Sequence, residues 1–190
     1  MVTAILSNHV LIDDLWPESG ISRNSVLVLA GSVLLALSAQ ISINLPFSPV
    51  PITFQTFAVL LLGLVYGRNL SVITILTYLT MGVSGIPVFS GAASGFAVIC
   101  GPTGGYIVGF ILAVYTVGLL AENAYDRSPF KVALCMFLGN ALIYIPGLIW
   151  LSFFISSQNL ITAGLLPFIP GDVVKLFLTM YFFPRVRKLF

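Results

Sequence analysis

The segment Pro170-Gly171-Asp172-Val173-Val174-Lys175 combines a turn signal with the two charges around which the chain is organised. Pro followed by Gly is typical of a turn. Asp172 then suits a helix start, because its carboxylate accepts free backbone N–H groups there and favours the positive end of the helix dipole. A spacing of three places Asp172 and Lys175 on one helix face. The pair is either a helix cap with a nearby partner or part of a binding site.

The composition excludes an ordinary water-soluble domain, because 58 % of the 190 residues are hydrophobic and only 7 % are charged. Soluble domains carry ~25 % charged residues. Cys100 and Cys135 are too few for a disulfide framework and lack the spacing of metal ligands. The single His9 lies in an N-terminal tail. We therefore predict an all-α integral membrane protein with no catalytic and no metal site.

Apolar runs divide the chain into six predicted membrane spans that follow a polar cytoplasmic tail at residues 1–24. The spans are residues 26–43, 52–66, 70–81, 103–120, 130–154 and 172–183. A straight span needs ~20 residues, so the short ones are expected to be tilted or extended by loop residues. Residues 25–190 are predicted to form one six-helix, substrate-binding transmembrane domain.

Residues 82–102, between the third and fourth spans, are apolar and rich in Gly. Irregular backbone at membrane depth is tolerated only where it is buried in protein or lines a cavity. This segment is therefore predicted to be a loop folded over an outward-facing pocket.

Basic residues are concentrated on one side of the predicted spans, since segments 44–51, 82–102 and 155–171 contain no Lys or Arg. The positive-inside rule makes the basic side cytoplasmic, which requires six spans with both termini in the cytoplasm. The remaining base is Lys175, and Asp172 is the one acid of the outer half. Charges inside a membrane are costly and mark functional sites, so the binding-site hypothesis is favoured over the structural cap.

Other polar and aromatic side chains are candidates for the same pocket. Asn140 and Tyr144 lie one turn apart in the fifth span, where helix–helix hydrogen bonding and ligand contact are equally open. Gln55 follows the proline-rich loop 44–51 and either caps the second span or points inward. Phe89 and Tyr106 either line a ring-binding pocket or pack against neighbours. The predicted substrate-binding residues are Asp172, Lys175, Tyr144, Asn140, Gln55, Phe89, Ser90 and Tyr106.

Small residues follow one face of the first span. This face serves either internal packing or the docking of a partner subunit, and it comprises Ser32, Ala36, Ser38, Ala39 and Ser42.

Four motifs occur in order along the chain. They are Pro49-Val50-Pro51-x-Thr53-x-Gln55, Tyr78-Leu79-x-x-Gly82-x-x-Gly85-x-Pro87-Val88-Phe89, Gly101-Pro102-Thr103-Gly104-Gly105-Tyr106 and Gly171-Asp172-x-x-Lys175. Together, on a six-span frame, they resemble the BioY family, the biotin-specific S components of energy-coupling-factor (ECF) vitamin transporters. The resemblance covers residues 30–188.

The resemblance implies a multi-pass subunit of the cell membrane that captures biotin as a transported ligand, with no cofactor, no enzymatic activity and no nucleic-acid partner. It also implies a transmembrane coupling protein and two ATP-binding-cassette ATPases as partners. The chain has no nucleotide-binding motif, so an ATP-driven step must come from another protein.

Three alternatives remain open at this point: an S component for another vitamin, an intramembrane enzyme, and a structural membrane subunit. The enzyme is disfavoured because no His, Cys or second carboxylate lies near Asp172 in the sequence. The structural subunit leaves the outer Asp–Lys pair unexplained.

Overall fold

Helices account for most of the chain in the computed structural model, which describes residues 10–18, 20–123 and 128–189. The helices are α1 (Leu11–Leu15), α2 (Ile21–Gln40), α3 (Gln55–Val83), α4 (Phe96–Cys100), α5 (Gly104–Glu122), α6 (Pro129–Leu151), α7 (Leu160–Gly164) and α8 (Ile169–Arg187). Single 3₁₀ turns occupy Ser90–Ala92 and Ser157–Asn159. A two-residue antiparallel ladder joins β1 (Ser42–Ile43) to β2 (Ile52–Thr53).

Five segments of the described chain are long and apolar enough to cross a membrane. They are Ile21–Gln40, Gln55–Val83, Gly104–Glu122, Pro129–Leu151 and Ser157–Arg187. Large apolar side chains point outward from these segments, as Leu37 and Phe137 show with 63 % and 64 % exposure. Outward apolar surface suits lipid contact, which agrees with the prediction of a multi-pass helical membrane protein.

Helix α3 is folded back on itself at Gly67. The Gln55 Nε2 donates to the Tyr78 hydroxyl at 2.7 Å, although the two residues are 23 positions apart. An unbroken helix would separate them by ~35 Å. The reversal occurs at Gly67, whose φ of 73° and ψ of 179° are non-helical. Residues 55–66 and 68–83 are therefore two antiparallel helical halves, in the places predicted for the second and third spans.

The core is built by α3 packing between α2 and α5, while α6 packs on α5 and α8 packs on α6. Fully buried side chains at its centre include Leu35, Leu64, Val114 and Ile143. Helix α8 therefore contacts the bundle mainly through α6, and further contacts are expected to hold its two ends.

Segment 10–18 supplies such a contact at one end of the bundle. Asp13 pairs with Arg23 at the start of α2 at 3.0 Å, and Asp14 pairs with Arg187 at the end of α8. Val10 and Leu11 are each only 4 % exposed. Part of the predicted tail is thus packed on the bundle, and α2 begins at Ile21, inside the predicted range 1–24. Arg127, predicted to be cytoplasmic, lies outside the described residues.

The turn interpretation of Pro170-Gly171 is wrong. Helix α8 already begins at Ile169, and the Asp172 N–H donates to the Phe168 carbonyl at 3.0 Å, a helical bond. Pro170 is tolerated because residues in the first helical turn have no acceptor for their N–H groups. The chain turns earlier, where the Phe168 N–H donates to the Leu165 carbonyl.

Three members of the small-residue face are buried inside the protein, namely Ser32, Ser38 and Ala39, and this supports the packing hypothesis for them. Docking of a partner at the partly exposed Ala36 and Ser42 stays a prediction. Ser32 and Ala39 are 0 % exposed, and the Ser32 hydroxyl donates to the Thr74 carbonyl at 3.1 Å. Small side chains here let α2 approach the second half of α3 closely.

Candidate substrate-binding site

A mainly apolar cavity of about 180 Å³ lies at the end of the bundle opposite the Arg23 and Arg187 ion pairs. The first loop, the loop after α3, and helices α3, α5 and α6 all contribute to its walls. Five of the predicted site residues line it, namely Gln55, Phe89, Ser90, Tyr106 and Tyr144. Residues of three sequence motifs that are far apart along the chain therefore line one cavity.

Three aromatic rings form one wall of the cavity. The Tyr106 and Tyr144 ring centroids are 6.3 Å apart in an edge-on arrangement, and Phe168 lies 6.1 Å from Tyr144. The Tyr106 hydroxyl donates to the Gly164 carbonyl at 2.8 Å, which ties the wall to α7. Gly147 of α6 is required behind this wall, because a Cβ there would overlap the Tyr106 ring.

Phe89 forms the facing wall and is held in a notch of α3. It is 3 % exposed, and its ring meets Tyr78 edge-on at 5.5 Å. A Cβ at Gly82 would overlap the Phe89 ring, so the notch requires glycine. Tyr78 in turn accepts from Gln55 and donates to the Val88 carbonyl at 3.2 Å. Gln55 therefore both lines the cavity and supports the loop that carries Phe89.

The Asp172–Lys175 ion pair lies directly behind the cavity lining. The Lys175 Nζ is 3.3 Å from the Asp172 Oδ1, and the two side chains are only 12 % and 11 % exposed. The Tyr144 hydroxyl donates to the Asp172 Oδ2. Lys175 also donates to the Thr56 hydroxyl at 2.9 Å and to the Thr53 carbonyl at 3.2 Å. The predicted shared helix face is confirmed, while Tyr144 and Thr56 stand between the pair and the cavity.

Asn140 is placed away from this cavity. It lines a second space of about 280 Å³ between α6 and α8, which Tyr144 and Asp172 also border. Its Oδ1 is buried without a hydrogen-bond partner among the described residues. Asn140 therefore does not line the cavity formed by the five predicted residues. Among the described residues, its Oδ1 also makes no helix–helix hydrogen bond.

Sequence comparison decides the family, because the model of the BioY family matches residues 9–190. The chain belongs to the BioY family. It is similar to the probable biotin transporter BioY of Pyrococcus horikoshii, with 41 % identity over 78 % of this chain and 86 % of the relative. It is also similar to the biotin transporter BioY of Thermotoga maritima, with 36 % identity over 86 % of this chain and 96 % of the relative.

A solved structure gives the same assignment at the level of the fold. The crystal structure of the S-component for biotin from an ECF-type ABC transporter superposes with a TM-score of 0.75 at 26 % identity. The match covers 90 % of this chain and 95 % of that chain. The BioY resemblance carried by the four sequence motifs is therefore confirmed.

Sequence reasoning missed several residues of this candidate site. Thr56 and Phe168 line the cavity, and Gln40 fixes the loop that bears Phe89. Thr56 could have been found, since it is a polar residue directly after Gln55, the last residue of the first motif. Phe168 stands in an apolar run without a distinguishing pattern, and no local signal marks it.

Proposed function

We propose that this chain is the biotin-binding S component of an ECF-type transporter and that it captures biotin for import. The observation that carries the proposal is an aromatic-lined cavity with the Asp172–Lys175 pair directly behind its lining, in a chain of the BioY family. Apolar pockets with a few fixed polar groups are the usual sites for small molecules.

The chemistry of the wall suits the functional groups of biotin, which has a polar ureido head, an apolar ring and chain, and a carboxylate. A carboxylate such as Asp172 accepts ureido N–H groups, and the Lys175 ammonium donates to the ureido carbonyl or pairs with the ligand carboxylate. The rings of Tyr106 and Phe168 offer apolar contact to the rest of the ligand.

Tyr144 and Thr56 define how the charged pair reaches the ligand. Both side chains line the cavity and both are hydrogen-bonded to the pair. Direct contact requires the Tyr144 hydroxyl to turn away from Asp172. Without that movement, Asp172 acts indirectly, by accepting the hydrogen bond from the Tyr144 hydroxyl. The lone pairs of the Tyr144 oxygen are then left to accept ligand N–H groups.

The membrane arrangement proposed with this function has six spans, with the two halves of α3 as separate spans, and both termini in the cytoplasm. Support comes from the ion pairs Arg23–Asp13, Arg68–Glu122 and Arg187–Asp14, which lie at the end of the bundle remote from the cavity. Basic residues favour the cytoplasmic side, so the cavity faces outward under a loop formed by residues 84–95.

The proposed partners are a transmembrane coupling protein and two ATP-binding-cassette ATPases, with the chain itself acting as a binding subunit rather than an enzyme. The sequence lacks the Gly-rich loop ending in Lys-Ser/Thr that holds nucleotide phosphates. Energy for import is therefore assigned to the partners.

Titration of the purified protein with biotin tests the proposal, with thiamine and riboflavin as competing vitamins. We expect saturable binding of biotin at one site and no displacement by the other two. Saturation by another vitamin with no biotin binding would transfer the function to that substrate. Absence of binding for all three, in monodisperse protein, would favour a structural subunit.

A further inference from the structure

Gln40, the last residue of α2, is hydrogen-bonded to the loop that carries Phe89. Its Nε2 donates to the Phe89 carbonyl at 3.0 Å and lies 3.4 Å from the Val88 carbonyl. Its Oε1 accepts the Ala92 N–H at 3.0 Å. One amide side chain thus bonds the residues just before the 3₁₀ turn Ser90–Ala92 and the last residue of that turn.

The loop at residues 84–95 is also held by the Tyr78 hydroxyl, which donates to the Val88 carbonyl, and by the Phe89 ring packed against Gly82. It turns through four residues with positive φ, of which Ala92 at 55° is the one without glycine's freedom. Its own backbone bonds include Phe89 N–H to the Ala93 carbonyl and Gly95 N–H to the Gly82 carbonyl. A non-glycine residue at positive φ persists only when surrounding contacts impose it. The Gln40 bond to the Ala92 N–H is such a contact.

Gln40 also lies at the junction between loop 84–95 and the first loop, both of which line the cavity. Gln40 is followed by β1, which pairs with β2 and so fixes the first loop, where Val50 and Pro51 line the cavity. The Phe54 N–H donates to the Ile41 carbonyl at 3.1 Å and closes the same junction. The end of α2 therefore holds both the first loop and loop 84–95, each of which contributes residues to the cavity lining.

We infer that Gln40 is a positioning residue that holds loop 84–95 in place over the cavity and thereby slows the release of the bound ligand. The inference rests on the proposed function for the identity of that ligand, biotin. Gln40 acts through Phe89 and Ser90, which line the cavity, and is itself exposed on the outside of the loop. Loosening an anchored loop changes dissociation more than association, because most affinity differences between related complexes appear in the dissociation rate.

The experiment compares the wild type with Gln40→Met, which keeps the length of the side chain and removes its hydrogen bonds. Gln158→Met is the matched control, since Gln158 is an exposed glutamine in the turn Ser157–Asn159. Association and dissociation of labelled biotin are measured by rapid mixing and chase. Hydrogen exchange detected by mass spectrometry reports the protection of peptides that cover residues 84–95.

We expect Gln40→Met to release biotin about tenfold faster, with association changed less than about twofold, since each lost neutral hydrogen bond weakens the loop modestly. Exchange should accelerate in residues 84–95 and not in the core of α5. Gln158→Met should match the wild type in both measurements.

Unchanged biotin release in Gln40→Met, with a wild type that binds, would overturn the inference while leaving the proposed function intact. Faster exchange throughout the protein would also overturn it, because Gln40 would then be a general stabilising residue. A wild type that does not bind biotin would instead refute the proposed function. The exchange measurement would then still test whether Gln40 anchors the loop.

Discussion

Neutralising the Asp172–Lys175 pair is the sharpest test of the site. The two side chains are only 11 % and 12 % exposed and lie 3.3 Å apart, so each is the main charge partner of the other. We expect Asp172→Asn or Lys175→Met alone to weaken biotin binding by at least ~2 kcal/mol, because a ligand group and a buried charge both lose partners. That corresponds to roughly thirtyfold in the dissociation constant.

The contacts of each side chain explain why the double variant discriminates between hypotheses. Lys175→Met also removes the bonds to Thr56 and the Thr53 carbonyl, whereas the amide oxygen of Asp172→Asn can still accept from Tyr144. If the pair served only to balance its own charges, replacing both members with neutral residues of similar size would be nearly neutral. If the pair recognises biotin, Asp172→Asn combined with Lys175→Met should bind no better than either single variant.

Isothermal titration with biotin in detergent measures the effect, and size-exclusion chromatography checks that each variant stays monodisperse. Glu122→Gln is the matched control, because it removes the charge of another ion pair, 3.2 Å long, at the opposite end of the bundle. It should leave biotin affinity unchanged. A well-folded double variant with normal biotin affinity would refute the site, and the search would move to Phe89, Tyr106 and Tyr144.

Three further predictions concern packing, topology and energy supply. Gly82→Ala should lower the free energy of unfolding by ~1–3 kcal/mol because the new methyl overlaps the Phe89 ring. Gly20→Ala is the control and should be close to neutral in the same denaturation assay, because a Cβ at Gly20 meets nothing within 4 Å. If the two substitutions lowered the free energy of unfolding equally, the close contact between Gly82 and the Phe89 ring would not explain the effect. In a Cys100→Ser background, Phe47→Cys should react with an impermeant thiol reagent applied to intact cells, whereas Lys188→Cys should react only after permeabilisation; the reverse pattern would invert the proposed topology. The purified chain should not hydrolyse ATP in a phosphate-release assay, and robust hydrolysis would contradict the assignment of energy supply to partner ATPases.

The long apolar helices could be predicted because hydropathy acts along the chain, whereas only five of the fourteen described residues that line the cavity were among the predicted site residues. The break in α3 at Gly67 lies between the predicted second and third spans, and the two helical halves are joined there without an intervening loop. The start of α8 could not be derived from Pro170-Gly171 alone, since Pro is compatible with both a turn and a first helical turn. The β1–β2 ladder depends on two short segments meeting across the first loop, which no local preference determines.

The sequence predicted eight candidate site residues, five of which line the cavity, but it did not predict how they are arranged. Helical spacing correctly placed Asp172 beside Lys175, yet it could not reveal that Tyr144 and Thr56 would stand in front of them. Spacing also put Asn140 one turn from Tyr144 without showing that it borders the space between α6 and α8 instead. Which neighbour covers a side chain is decided by helix rotation and tertiary packing, and these leave no signature at single positions.

The packing of α1 has a practical consequence for anyone trimming or tagging this protein. A polar stretch before the first long helix is commonly removed as a dispensable leader, yet removal of residues 10–18 would delete the acidic partners of both Arg23 and Arg187. It would also uncover the apolar surface on which Val10 and Leu11 are buried. Affinity tags are therefore better attached ahead of residue 10, and a shortened protein that aggregates should first be restored to its full N-terminal length before its helices are redesigned.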